Sequence, residues 1–184
     1  KFISSKSGRN YPCVDFPQGT SMVFNRNHLL KVGGFNEFLG IDYASYEDGE
    51  PSFALWKNNL LTIYVPDFEL IHHKLLRVDG TSRNNPTLKY QYALIRNHCI
   101  SLIGNKYPSA IRAIVYSILF CATQTYRFLT KHKKNKFRCF KGIAVSTLAL
   151  ISGILIGVKI NFFGRSSYFA APTLKRQIPI ETNI

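Results

Sequence analysis

The sequence predicts an α/β chain: a front part that mixes short strands with helices, followed by a mostly α-helical C-terminal region. Three observations predict it. Short β-branched or apolar runs at 22–24, 61–65 and 68–71 alternate with helix signals in the first hundred residues. After Asn85-Pro86 the apolar spacing turns helical and stays so to about Val158. The charge balance shifts in the same region. Up to His98 there are 11 Lys and Arg against 9 Asp and Glu; beyond it there are 13 against Glu181 alone, so the net +14 belongs mainly to the second part. At 184 residues the chain has length for one core and an appendage, divided here at 1–105 and 106–184.

Element by element, residues Lys1 to Asn10 are polar and contain glycine, so a loop is expected. The run from Val14 to Phe24 ends in strand-like residues, and Asn25 can cap a short helix from Arg26 to Val32 that Gly33-Gly34 ends by supplying positive φ. Ser45 with Asp48 three positions later has the form of a capping box for a helix to about Asn58, with Pro51 in its first turn. Leu61–Val65 and Phe68–Ile71 read as two strands or one bent strand, closed by His72-His73. Helices are then expected from Asn85-Pro86 to about Gly104, from Ser109 to Thr130 and from Phe137 to Val158.

The C-terminal part selects a partner class. Seven basic residues from Arg127 to Lys141 lie between two apolar stretches, Ala113–Tyr126 and Gly142–Val158, an arrangement that suits lipid headgroups and not nucleic acid. Both stretches fall short of the ~20 apolar residues of a comfortable span. As a spanning hairpin with the first domain in the cytoplasm, they would put the basic turn outside, against the positive-inside tendency. Helices lying along an anionic membrane surface are therefore expected, with Arg112 and Lys159 snorkelling. Cys13, Cys99, Cys121 and Cys139 are widely spaced and read as reduced packing residues. Beginning at Lys1 without methionine and with no secretory signal ahead, the chain is expected to be a fragment.

Chemistry is concentrated in one ordered series: Gly33-Gly34-Phe35-Asn36-Glu37, then Glu47-Asp48, then Pro66 and His72-His73. Singly, these are a helix stop, a solvated cap and an ordinary pair of histidines. Jointly they offer a base (Glu47-Asp48 at a helix N-terminus) and an imidazole able to bind a divalent metal.

With Gly19 ahead of it and Arg96-Asn97 behind, this series resembles the C-terminal half of the GT-A catalytic domain of bacterial family 2 glycosyltransferases, particularly rhamnosyltransferase-like members. Such enzymes carry a glycine before a short strand, G-G-F-D-E, E-D-x-D, a proline and a histidine. The resemblance implies an incomplete GT-A (Rossmann-like) fold and an inverting transfer from a nucleotide-diphosphate sugar to a lipid-linked or saccharide acceptor. The setting it implies is O-antigen or capsule synthesis at the cytoplasmic face of the inner membrane. By the same resemblance Asp48 is the general base and Glu47 its neighbour. His72 is the metal ligand, and Gly19, Gly34, Phe35, Asn36, Glu37 and Arg96 line the substrate. A divalent metal, Mg or Mn, would need a D-x-D motif that these residues lack, so the chain alone is expected to be inactive. Asn36 stands for the usual acid, Glu50 for the second aspartate and Ala54 for a frequent arginine, which bears on the acceptor more than on the reaction type. A non-catalytic membrane-surface module is the alternative from another class; a metal-dependent hydrolase lacks ligands.

Overall fold

A computed structural model describes residues 2–4, 10–14, 21–39, 46, 48–66 and 87–163. Three short strands form one antiparallel sheet in the order β1-β2-β3, where β1 is Phe2–Ser4, β2 is Asn10–Val14 and β3 is Thr62–Ile63. Ile3 lies opposite Tyr11 and Cys13 opposite Ile63. The Tyr64 N–H extends the second pairing by donating to the Pro12 carbonyl at 2.9 Å.

The helices dominate. They are α1 (Arg26–Lys31), α2 (Gly49–Lys57), α3 (Leu88–Asn105), α4 (Ala110–Lys131) and α5 (Lys136–Phe163). The expected α/β, Rossmann-like architecture is therefore corrected: the described residues are mostly helical and hold no Rossmann-like sheet. A parallel sheet needs strands joined by crossovers and buried on both faces. Strands of three, five and two residues paired antiparallel cannot supply that. Two of the three lie partly or wholly in the stretch read as a loop, and the run 61–65 keeps only two strand residues. Residues 15–20 and 67–71 lie outside the described residues. The helical C-terminal region is as expected, with α5 running five residues further than its apolar spacing predicted.

Sequence explains where the long helices start. Thr87 and Ser109 cap α3 and α4 by accepting from the Tyr90 and Arg112 N–H groups, and the Asn135 side chain accepts from the Arg138 N–H at 2.9 Å to open α5. Between α3 and α4, Lys106 adopts φ +52° and Tyr107 turns back onto α2, stacked on Phe53 at 4.5 Å and edge-on to Trp56 at 4.8 Å.

The core is the three-helix bundle α3-α4-α5, in which Ile95, Cys99, Ile103, Ala113 and Ala149 are buried. Paired residues fix the directions. Gln91 reaches Ser146, Gly153 meets Arg96 and Cys99, and Gly104 meets Ile160, so α3 and α5 run side by side in the same sense. Cys121 reaches the Ser146 carbonyl and Gly142 meets Phe128, so α4 runs opposite to α5. Burial pushes the Cys99 thiol up to about 11, as befits a packing residue and not a nucleophile, and all four cysteines are free.

The α3–α5 approach depends on Gly153. A Cβ there would stand 2.6 Å from Cys99 Cβ and 2.7 Å from the Arg96 carbonyl oxygen, and the latter is backbone that cannot move aside. Gly153→Ala is expected to cost about 2 kcal/mol through forced separation of the two helices. Leu155→Ala, at a side chain 64% exposed, should shift stability by less than about 0.5 kcal/mol. Equal denaturation midpoints for the two variants would remove the close contact from the account.

Candidate functional site

Helix α1 ends in a Schellman turn: the Gly34 N–H donates to the Leu29 carbonyl and the Gly33 N–H to Leu30, both at about 3 Å, with φ of +88° and +74° at Gly33 and Gly34. The turn aims Phe35 back onto Phe24, edge-on at 5.6 Å, and drives Asn36 inward. Asn36 Oδ1 then accepts from the Phe38 N–H and begins a 3₁₀ turn over Glu37–Leu39.

This loop is held by side chains from α2 and α3. Arg96 Nη1 donates to the Phe38 carbonyl at 3.0 Å and to Asn97 Oδ1 at 2.8 Å, while Asn97 Nδ2 donates to the Leu39 carbonyl at 3.1 Å. Glu50, 1% exposed, accepts from Asn105 Nδ2 at 3.0 Å and from Asn36 Nδ2 at 3.5 Å. Leu39 closes the arrangement against Ile100, Ile156 and Ile160. The pieces G-G-F-N, Asp48-x-Glu50 and Arg96-Asn97, far apart in sequence, thus meet on one side of α3.

Asp48 sits at the rim. Its carboxylate caps α2, accepting from the Gly49 N–H at 2.8 Å, and stays partly exposed where Glu50 is enclosed. The capping-box expectation is thereby refined, because Asp48 is itself the cap. Just before it, Tyr46 takes φ +67° and its hydroxyl pairs with His98 Nδ1 at 2.7 Å, and the His98 ring stacks on Phe120 at 3.9 Å. Burial holds His98 down at about 4, although the Tyr116 backbone opposes this, and its Nε2 makes no hydrogen bond of good geometry. Tyr46 moves the other way: burial raises its phenol above the ordinary range, and Cys99, Tyr90 and Asp48 add to the effect.

Of the residues singled out from sequence, Gly34, Phe35, Asn36, Asp48 and Arg96 are brought into one neighbourhood. Gly34 shapes the turn, Asn36 and Arg96 are buried and engaged with the loop, and Phe35 is half exposed. For Glu37 only the backbone is described. Gly19, Glu47 and His72 lie outside the described residues. Among the described residues no group of three His, Cys, Asp or Glu side chains could hold a metal ion. Asp48 and Glu50 do not fit one by themselves, since amide donors already occupy Glu50. A cavity of about 110 Å³ between α2 and the ends of α3 and α5 is too small for a sugar nucleotide.

Sequence reasoning missed the Glu50–Asn105 bond and the Tyr46–His98–Phe120 stack. A signal for the first was present. Asn97, Ser101 and Asn105 form a polar line at spacing four along an otherwise apolar helix, which marks a face that must find polar partners. Compared with known proteins, the chain matches no family model, no curated protein and no solved structure.

Two outcomes are expected. Glu50→Ala strips an acceptor from two buried amides and should cost about 1–3 kcal/mol, with Glu50→Gln costing less. His98 binds a proton near 6.5 when unfolded and only near 4 when folded, so the unfolded chain holds more protons between those values. Stability is then fully present above pH 6.5 and falls as pH drops toward 4, by about 3 kcal/mol in all. Urea midpoints for the parent and His98→Phe across that window check this. An identical pH slope in both would rule His98 out as its source.

Proposed function

We propose that this chain supplies the acceptor-activating part of a family 2 glycosyltransferase, with Asp48 as general base. The observation that carries the reading is the convergence of its separated motif elements. The glycine turn, the Asp48 helix and the Arg96-Asn97 pair are tied together by named hydrogen bonds, although 50 to 60 residues separate some of them. Such ties are what a site built on loops needs to hold its geometry.

In this reading the two carboxylates of Asp48-x-Glu50 divide the work. Glu50 is spent on fixing the loop to α3. Asp48, the partly exposed cap of α2, takes the proton of an acceptor hydroxyl. The freed oxygen then attacks the anomeric carbon of a nucleotide-diphosphate sugar. The bond from that carbon to the diphosphate breaks, and the leaving group departs with the electron pair, giving inversion. Stabilising that leaving group is assigned to no described residue, and no step here passes through a metal. The acceptor proposed is a lipid-linked saccharide of bacterial surface polysaccharide, and the setting is the cytoplasmic face of the inner membrane.

One observation favours a second reading, a membrane-surface module without catalysis: α5 is long and apolar enough to cross a membrane by length and composition. Donor hydrolysis or transfer by the full-length gene product separates the two, since only the first requires it. Asp48→Asn in that product is expected to lower transfer by about 10²–10⁴-fold while nucleotide-sugar binding persists. An unchanged rate would take Asp48 out of the mechanism.

A further inference from the structure

Helices α4 and α5 present a broad apolar surface on the side turned away from α3. The residues of α5 that meet α3 include Gly153 and Gly157. At 100° per residue, Leu148, Ile151 and Leu155 point the opposite way and are 50–64% exposed. On α4, Ala113 and Ser117 are fully buried, whereas Ile111, Val115 and Ile118 lie on the far side and are 45–78% exposed. No charged residue occurs between Arg112 and Arg127 or between Lys141 and Lys159. Two exposed threonine hydroxyls here bond to their own helix: Thr123 donates to the Leu119 carbonyl at 2.8 Å and Thr147 to the Ile143 carbonyl at 3.1 Å. Patches of this extent mark an interaction surface.

Charge identifies what covers it. The end of α4, the link after it and the start of α5 carry Lys131, Lys133, Lys134, Lys136, Arg138 and Lys141, beside the apolar face and with no acidic residue between them. A cationic cluster flanking an uncharged apolar face is complementary to anionic headgroups over acyl chains.

Packing then decides how the bilayer is met. Helix α3 accompanies α5 from Ser146 to Ile160, most of its apolar length. Asn36 and the 3₁₀ turn Glu37–Leu39 are fastened to α3 at Arg96 and Asn97, level with Gly153, and Leu39 packs with Ile160. Were α5 to cross a membrane, the Arg96 guanidinium, the Asn97 amide and the turn they hold would be carried to the depth of the hydrocarbon, where ionisable side chains are expensive. We propose that α4 and α5 lie flat in one leaflet of an anionic membrane, with their outer faces in the acyl boundary and the basic link among the headgroups. This inference does not require that Asp48 be catalytic, so each can fail alone.

The test is sedimentation of the whole chain with phosphatidylcholine vesicles, with and without phosphatidylglycerol. Binding at least about 10-fold tighter to the anionic vesicles and weakened by salt is expected. Equal binding to both compositions, or none to either, overturns the proposal. Ile118→Asp with Ile151→Asp, at exposed positions that should leave the circular dichroism unchanged, is expected to lower binding at least about 10-fold. Retained affinity in that folded variant counts against the face. Orientation is read from Lys134→Cys in the basic link and Lys159→Cys near the end of α5, both exposed and both placed at headgroup level, each in a chain carrying Cys13→Ser and Cys139→Ser, with an impermeant maleimide added outside sealed vesicles. Both ends should react from the same side. Reaction of one end only after lysis would show a spanning helix.

Discussion

The rest of the molecule depends on how closely α3 and α5 approach at Gly153. That contact leaves room for no side chain on α5, and it turns α3 into a partition with different chemistry on its two sides. Toward α5, α3 shows Cys99 and Ile103, which pack against glycine and small residues. On the other side it shows Asn97, Ser101 and Asn105, which need hydrogen-bond partners and find them in the loop at 36–39, in Glu50 and in their own helix. A helix with one small-residue neighbour and one polar neighbour has a fixed rotation about its axis. Everything fastened to it inherits that orientation.

Burial of Glu50 shows which force prevails on the polar side. A carboxylate 1% exposed loses most of its hydration, a cost of several kcal/mol. The Asn105 and Asn36 amides offset part of that cost, and its place in the first turn of α2 adds the helix dipole. An apolar residue here would pack with less penalty but would leave Asn105 and Asn36 short of an acceptor. The carboxylate therefore sets position more than it adds stability, and it sets the position of the helix that begins with Asp48.

Legibility followed the range of the interactions. Helices α3, α4 and α5 were readable because their spacing and charge boundaries are local: Asn85-Pro86 and Ser109 announce starts, and no proline interrupts the apolar periods. The end of α1 was readable for the same reason, since two glycines at positive φ are a local signal. The sheet was not. Strands β1 and β2 lie wholly or partly in a polar, glycine-containing stretch, and β2 pairs with β3 about fifty residues away, so nothing nearby in sequence marks them. At the site, the meeting of Glu50 with Asn36 was legible only as order along the chain. That Glu50 would be the buried member depends on Asn105, two elements later. His98 gave no sign in sequence of the phenol and phenyl rings that enclose it.

The apolar outer face and the Asp48 carboxylate are also connected through α4. Phe120 lies toward α3 and meets both His98 and Tyr46, while Ile111, Val115 and Ile118 lie on the outer side of the same helix. One helix diameter, about 10–12 Å, therefore separates these exposed apolar side chains from the residue two places before Asp48. A group dissolved in the acyl region cannot reach that carboxylate. A hydroxyl carried on a polar spacer that projects from a lipid can, provided the spacer is about as long as α4 is wide. The flat orientation and the proposed acceptor thus constrain each other: if the helices lie in the leaflet, the reacting hydroxyl stands clear of the headgroups, where a sugar held by a lipid-linked diphosphate would present it.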